Sequence, residues 1–151
     1  MPTEGVRNIV AAIDFSGVTD AVLTEARRQA RAFGAKLWLV HVQPPGSEFV
    51  GFEVGPTSIR QSVAGELRQE HRRLQQYADS IRDEGLDVTA MLVPGPAAEK
   101  ILAETQRLHA DRVVLGSHGH GALYHLLVGS VCEAVLRKAP CPVTVVPVRP
   151  R

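Results

Sequence analysis

The sequence lacks a surplus of charge of either sign. Its 17 Lys and Arg side chains are matched by 16 Asp and Glu, a formal net charge of +1. Proteins that hold nucleic acid through bulk electrostatics carry a strong basic excess, so no nucleic-acid partner is expected. It also lacks long apolar runs: none approaches the ~20 residues needed to span a bilayer, and no membrane partner is expected. The first residues, MPTEGVRNIVAAIDF, lack a signal-peptide layout, because the apolar run is short and ends in an acid. A cytoplasmic location is the expectation. There are two cysteines, Cys132 and Cys141. Two make no disulfide framework, their spacing fits no zinc pattern, and they are expected as reduced, partly buried thiols.

What is present is an ordinary globular composition, 44% hydrophobic and 22% charged over 151 residues. That is enough chain to bury a core, and with no composition break it is expected to form one domain over 1–151. Asn8–Phe15 (NIVAAIDF) is a continuous apolar run, the pattern of a strand covered on both faces. A helix over Thr19–Phe33 follows, with Ala21, Val22, Ala26, Ala30 and Phe33 near one face and Gly34 as its stop. Lys36–Val42 is a second strand. Gln43–Thr57, with three prolines and three glycines, is a long loop, either a lid or a variable surface excursion. A polar helix spans Ser58–Arg82, with Ile59, Val63, Leu67, Leu74, Tyr77, Ala78 and Ile81 inward. A strand over Asp87–Val93, a helix over Ala97–Leu108, a strand over Asp111–Leu115, a helix over Gly129–Arg137 and a strand over Val143–Val148 complete the chain. The alternation predicts an α/β fold, a parallel sheet with helices on both faces. Pro147 cannot donate to a ladder, so the last strand is expected at an edge, open to a second copy.

Ligands of open parallel sheets sit beyond the carboxyl ends of the strands, where strand order reverses. Two strands end distinctively, one at Asp14 and one at Gly116. Asp14 is either a hydrogen-bond acceptor for a ribose or adenine or the holder of an Asx-turn. Gly116–Ser130 (GSHGHGALYHLLVGS) runs from a strand through glycines to a helix start, an arrangement that surrounds anions with backbone N–H groups. It is not a P-loop: Gly116 and Gly121 have the separation, but Ala122 and Leu123 stand where Lys and Ser/Thr are required. The dinucleotide fingerprint GxGxxG is absent as well. Ser130 either offers its hydroxyl to a phosphate or serves as an ordinary N-cap, with Gly129 there for close packing. His118, His120 and His125 read as phosphate donors, as a weak metal signal, or as exposed loop histidines. His41, in a buried strand pattern, reads as a satisfied core or crevice-edge residue.

These residues resemble the universal stress protein family over nearly the whole chain. The family's first strand ends in an aspartate before a serine-containing turn, here Ile13-Asp14-Phe15-Ser16. Its fourth strand runs into G-x2-G-x9-G-[S/T], matched here by Gly116, Gly119, Gly129 and Ser130. Val131 and Pro140-Cys141-Pro142-Val143 fit the segment beyond. The resemblance implies a three-layer, Rossmann-like sandwich of the adenine nucleotide alpha hydrolase-like type, with a five-stranded parallel sheet of order 3-2-1-4-5. In that family the complete glycine motif marks the members that bind ATP. It implies Ala12, Ile13 and Val42 around the base and Asp14 near the ribose and adenine. It places Gly116, Ser117, His118, Gly119, Gly129, Ser130 and Val131 at the ribose and phosphates. It further implies homodimers through the last strand. Many relatives carry Arg or Lys near His120, where this chain has His120 and Gly121; a bound Mg2+ or Mn2+ could compensate the phosphates. The expected function is an ATP-binding regulator in a stress response, with a slow ATPase and a nucleotide-independent dimeric module as alternatives. No positioned general base or arginine finger is evident, so any hydrolysis is expected to be weak.

Overall fold

The computed structural model describes residues 5–43, 57–119 and 128–148, with side chains outside 57–64. Among the described residues five strands and four helices alternate: β1 (Asn8–Ala12), α1 (Thr19–Phe33), β2 (Lys36–Gln43), α2 (Thr57–Asp83), β3 (Val88–Pro94), α3 (Ala97–Arg107), β4 (Arg112–Gly116), α4 (Ser130–Lys138) and β5 (Val143–Val146). The strands form one parallel sheet in the order β3-β2-β1-β4-β5. The region expected as a long loop lies, from 44 to 56, outside the described residues, as do His120, Gly121 and His125.

Continuous apolarity in β1 has a direct cause: Ile9, Val10 and Ala11 are all fully buried, and successive side chains enter opposite layers. Ile9 and Ala11 join Leu37, Leu39 and Val114 against α1 and α2, where Val22, Leu23, Ala26, Leu74, Ala78 and Ile81 pack. Val10 joins Val40, Val113 and Leu115 against α3 and α4, through Ile101, Cys132 and Val135. The result is three layers, two helices on each face of the sheet.

The structure corrects several boundaries and faces. β1 stops at Ala12, short of Phe15, because Phe15 adopts a left-handed backbone with φ 60 and the chain turns there. In α1 Val22, Ala26 and Ala30 are buried as expected, and the buried face also includes Leu23, whereas Ala21 and Phe33 are exposed. Gly34 closes α1 at φ 64, with its N–H reaching the Ala30 and Arg31 carbonyls. β5 ends at Val146, before Pro147, and it is an edge strand. The Pro142 and Val146 carbonyls accept from Val113 and Ser117 of the β4 segment. Alternation along a parallel strand therefore turns the N–H and C=O of Val143 and Val145 to the open side.

Candidate functional site

Strand order reverses between β1 and β4, which are hydrogen-bonded neighbours, so the loops leaving their carboxyl ends diverge over the sheet and leave a crevice. A cavity of about 400 Å³ lies there. That is within the ~300–1,000 Å³ usual for small-molecule sites. Every residue that the family resemblance assigns to a nucleotide lines it: Ala12 at the end of β1 with Ile13 and Asp14 just beyond, Val42 from β2, Gly116, Ser117, His118 and Gly119 from β4 and its loop, and Gly129, Ser130 and Val131 at the start of α4. No lysine or arginine is among its described lining residues.

Asp14 does more than one job. Its Oδ1 accepts the Ser16 N–H at 3.0 Å, which is the Asx-turn expected as one of two readings. The turn leaves Oδ2 against Gly119: a β-carbon on that glycine would stand 2.1 Å from it. The carboxylate thus bridges the two loops that frame the crevice. Gly116 is equally tight, since a β-carbon there would stand 2.6 Å from Val18 Cγ1.

Ser130 is not the N-cap. Gly129 holds that place in extended backbone, with no side-chain cap, and its N–H donates to the Ser117 carbonyl at 2.6 Å. The first bond of the α4 ladder runs from the Glu133 N–H to the Gly129 carbonyl. The N–H groups of Ser130, Val131 and Cys132 therefore precede the ladder, at the wall of the cavity. Three forward-pointing N–H groups and the positive end of a helix suit an anion. His118 and Ser117 are both buried, and His118 Nδ1 lies 3.0 Å from Ser117 Oγ.

Sequence reasoning missed part of the wall. Val40 lines the cavity beside Val42, two residues along the same strand face; the period of two could have found it. Ala97 and Ile101, one helical turn apart on α3, and Cys132 complete the apolar side. Burial pushes the Cys132 thiol above the ordinary range. Cys141 is raised by burial and by Asp111, against a lowering by Arg112. Thr19 also lines the cavity; its Oγ1 is buried, with no hydrogen-bond partner among the described residues. His41 lies on the opposite layer, buried, with Nδ1 2.9 Å from the Ile13 carbonyl oxygen and its ring 4.4 Å from that of Phe15. It is a crevice-edge support, and it does not line the cavity.

Among the described residues no group of three or more His, Cys, Asp or Glu side chains is placed to hold a metal ion. Nor is any helix among them long and apolar enough to cross a membrane.

Known proteins with the same architecture follow from this geometry. The family model of the universal stress protein family matches residues 5–147. A universal stress protein of Thermus aquaticus is 31% identical over 146 residues, covering 93% of this chain and 98% of its own length. The solved structure of MJ0577, from Methanocaldococcus jannaschii, superposes with a TM-score of 0.83 at 24% identity, over 97% of this chain and 99% of that one. A universal stress protein from Archaeoglobus fulgidus in complex with dAMP superposes at 0.64 and 21% identity, over 93% and 96% of the two chains. The fold is thus the Rossmann-like sandwich of those structures, and the chain belongs to the universal stress protein family.

Proposed function

We propose that this chain is a nucleotide-dependent regulator that holds ATP in the crevice between β1 and β4, without fast turnover. The observation that carries it is the meeting of Asp14, the Gly116–Gly119 turn and the uncapped start of α4 around one cavity at the switch point. A further support is chemical: the Archaeoglobus fulgidus relative was solved with an adenine mononucleotide. In this reading the base lies against Ala12, Ile13 and Val42, and Asp14 accepts from the ribose or the adenine amine. Gly116, Ser117, His118, Gly119, Gly129, Ser130 and Val131 hold the ribose and phosphates. With no lysine or arginine on the described wall, Mg2+ or Mn2+ would be carried by the phosphates themselves. The chain works as a single domain, in the cytoplasm, as a homodimer paired through Val143–Val148.

Titration calorimetry with ATP and magnesium tests the reading. The expected result is one site per chain at micromolar affinity, about −8 kcal/mol. A phosphate-release assay on the same sample should show little turnover. No heat and no copurifying nucleotide would remove the reading, and rapid phosphate release would make the chain an ATPase instead. A second reading, a nucleotide-independent dimeric module, draws on the packing of Gly116 against Val18 and of Gly129 against the Ser117 carbonyl, which give both glycines a use without any ligand.

A further inference from the structure

Both ring nitrogens of His41 face acceptors. Nδ1 lies 2.9 Å from the Ile13 carbonyl oxygen, and Nε2 lies 3.4 Å from Glu70 Oε2 on α2. A carbonyl can only accept, so Nδ1 carries a hydrogen. The neutral ring then has only a lone pair on Nε2, turned toward a carboxylate. Neither Nε2 nor Glu70 Oε2 has a hydrogen-bond partner among the described residues, and both atoms are buried. Two buried acceptors face to face are a defect that one proton repairs. On Nε2 it makes an imidazolium that donates to Ile13 and to Glu70, with opposite charges paired. The Glu70 side chain is 35% exposed, which gives the proton a route from water.

This pair supports the turn beside the crevice. The His41 ring packs on Phe15, centroids 4.4 Å apart, and Phe15 stacks on Tyr77 at 6.2 Å. The Arg73 guanidinium lies 4.6 Å from the Phe15 ring centroid. Phe15 sits inside the Asp14–Ser16 turn, in left-handed backbone at φ 60. A bulky residue keeps that conformation only where its surroundings impose it. Here they are side chains of β2 and α2, and His41–Glu70 is a polar contact between those two elements. The other titratable or charged groups around the cluster are Arg73 and Tyr77 on α2 and Asp14 in the turn. Glu66 and His71, also on α2, are exposed, and β1 and β3, the strands flanking β2, carry no titratable side chain.

We propose that His41 and Glu70 form a proton-dependent clamp: one proton taken from solvent onto His41 Nε2 ties α2 to β2 and braces Phe15, and with it the turn that frames the crevice. The clamp rests on the nucleotide reading above only for its effect on ATP.

Glu70 lies outside the cavity wall and outside both core clusters, so it can be changed without touching either. Glu70→Gln replaces the carboxylate with an amide, whose N–H donates to the bare Nε2 and closes the clamp without a proton. Glu70→Ala leaves nothing to close it. Denaturant unfolding of the parent, E70Q and E70A between about pH 8.5 and 5.5 spans the range where an ordinary histidine titrates and carboxylates do not. The folded parent holds the extra proton more tightly than the unfolded chain does, so the clamp's stability is present at low pH and lost as pH rises. Across that range its unfolding constant should fall about tenfold relative to either variant as pH drops, the scale of one hydrogen bond between charged groups. Parallel profiles for the parent and E70Q would overturn the clamp.

Nitrogen-15 NMR reads the proton directly. The His41 ring should carry only Nδ1–H at the alkaline end and hydrogens on both nitrogens at the acid end; an Nε2–H ring at the alkaline end would overturn the proposal. ATP affinity, taken as the ratio of E70Q to parent so that the titration of ATP itself cancels, should favour E70Q by about threefold at the alkaline end and approach one at the acid end. A ratio that does not change with pH would overturn the bracing of the crevice. If the parent binds no ATP, the nucleotide reading fails, and unfolding and NMR still judge the clamp.

Discussion

At the scale of single residues, the glycines of this chain have unequal jobs. Gly116 is enclosed by Val18 and by the His118 carbonyl, so Gly116→Ala overpacks the junction of β4 and α1. It should cost about 1–3 kcal/mol in denaturant unfolding, and truncating Val18 to Ala in the same chain should return part of that. Gly119 is different, because the atom in the way is Asp14 Oδ2. Gly119→Ala should leave unfolding nearly unchanged while weakening ATP in calorimetry by tenfold or more, since Asp14 must swing from the crevice or the loop must move. Normal ATP affinity in Gly119→Ala would take Asp14 out of the site. Part of this was legible from residue types: an acid just beyond one strand and a glycine ending another suggested a shared crevice if the two strands were neighbours, which they are. The bridge from Asp14 to Gly119 was not, because it depends on a contact across 105 positions of chain.

At the scale of elements, the edge strand and the fourth helix carry the weight. β5 keeps its ladder to β4 with alternate residues and turns the N–H groups of Val143 and Val145 outward. Pro147, one alternation further, has its missing N–H on that open side, where no ladder bond is lost. If the proposed homodimer pairs through this edge, Val145→Pro should give a folded monomer by sedimentation velocity where the parent chain is a dimer. A parent that sediments as a monomer would refute that pairing. α4 was legible as a helix start after Gly129, and its N-terminal N–H groups face the cavity as the glycine spacing suggested. Of the two readings of Ser130, the N-cap falls: the extended backbone that begins α4 belongs to Gly129. In α1 the expected face held at Val22, Ala26 and Ala30 and failed at Ala21 and Phe33, with Leu23 buried instead.

For the whole molecule, the two thiols report on both the core and the crevice. Burial raises Cys132 and Cys141 alike, so at neutral pH little of either is thiolate. Alkylation by a small reagent should therefore be slow near pH 7 and accelerate as pH rises, the thiolate being the reactive form. Cys132 lines the cavity and Cys141 does not. ATP should slow the labelling of Cys132 at every pH and leave Cys141 unchanged, as peptide mapping would read it; equal protection of both would mean general tightening of the fold in place of occupancy. By itself, the sequence determined the alternation of strands and helices, because continuous apolar runs, helical periodicity and glycine stops are local signals. It also pointed to the two loops that frame the cavity, because Asp14 and the Gly116–Ser130 spacing stand near strand ends. The strand order was already implied by the family resemblance and is the one observed; only the tertiary structure decided the register of the strands, how Ile101 and Cys132 close the wall, and how Val148 reaches Ser117. Those depend on the register of parallel strands brought together by crossovers, and register is set by packing between segments that no local pattern links.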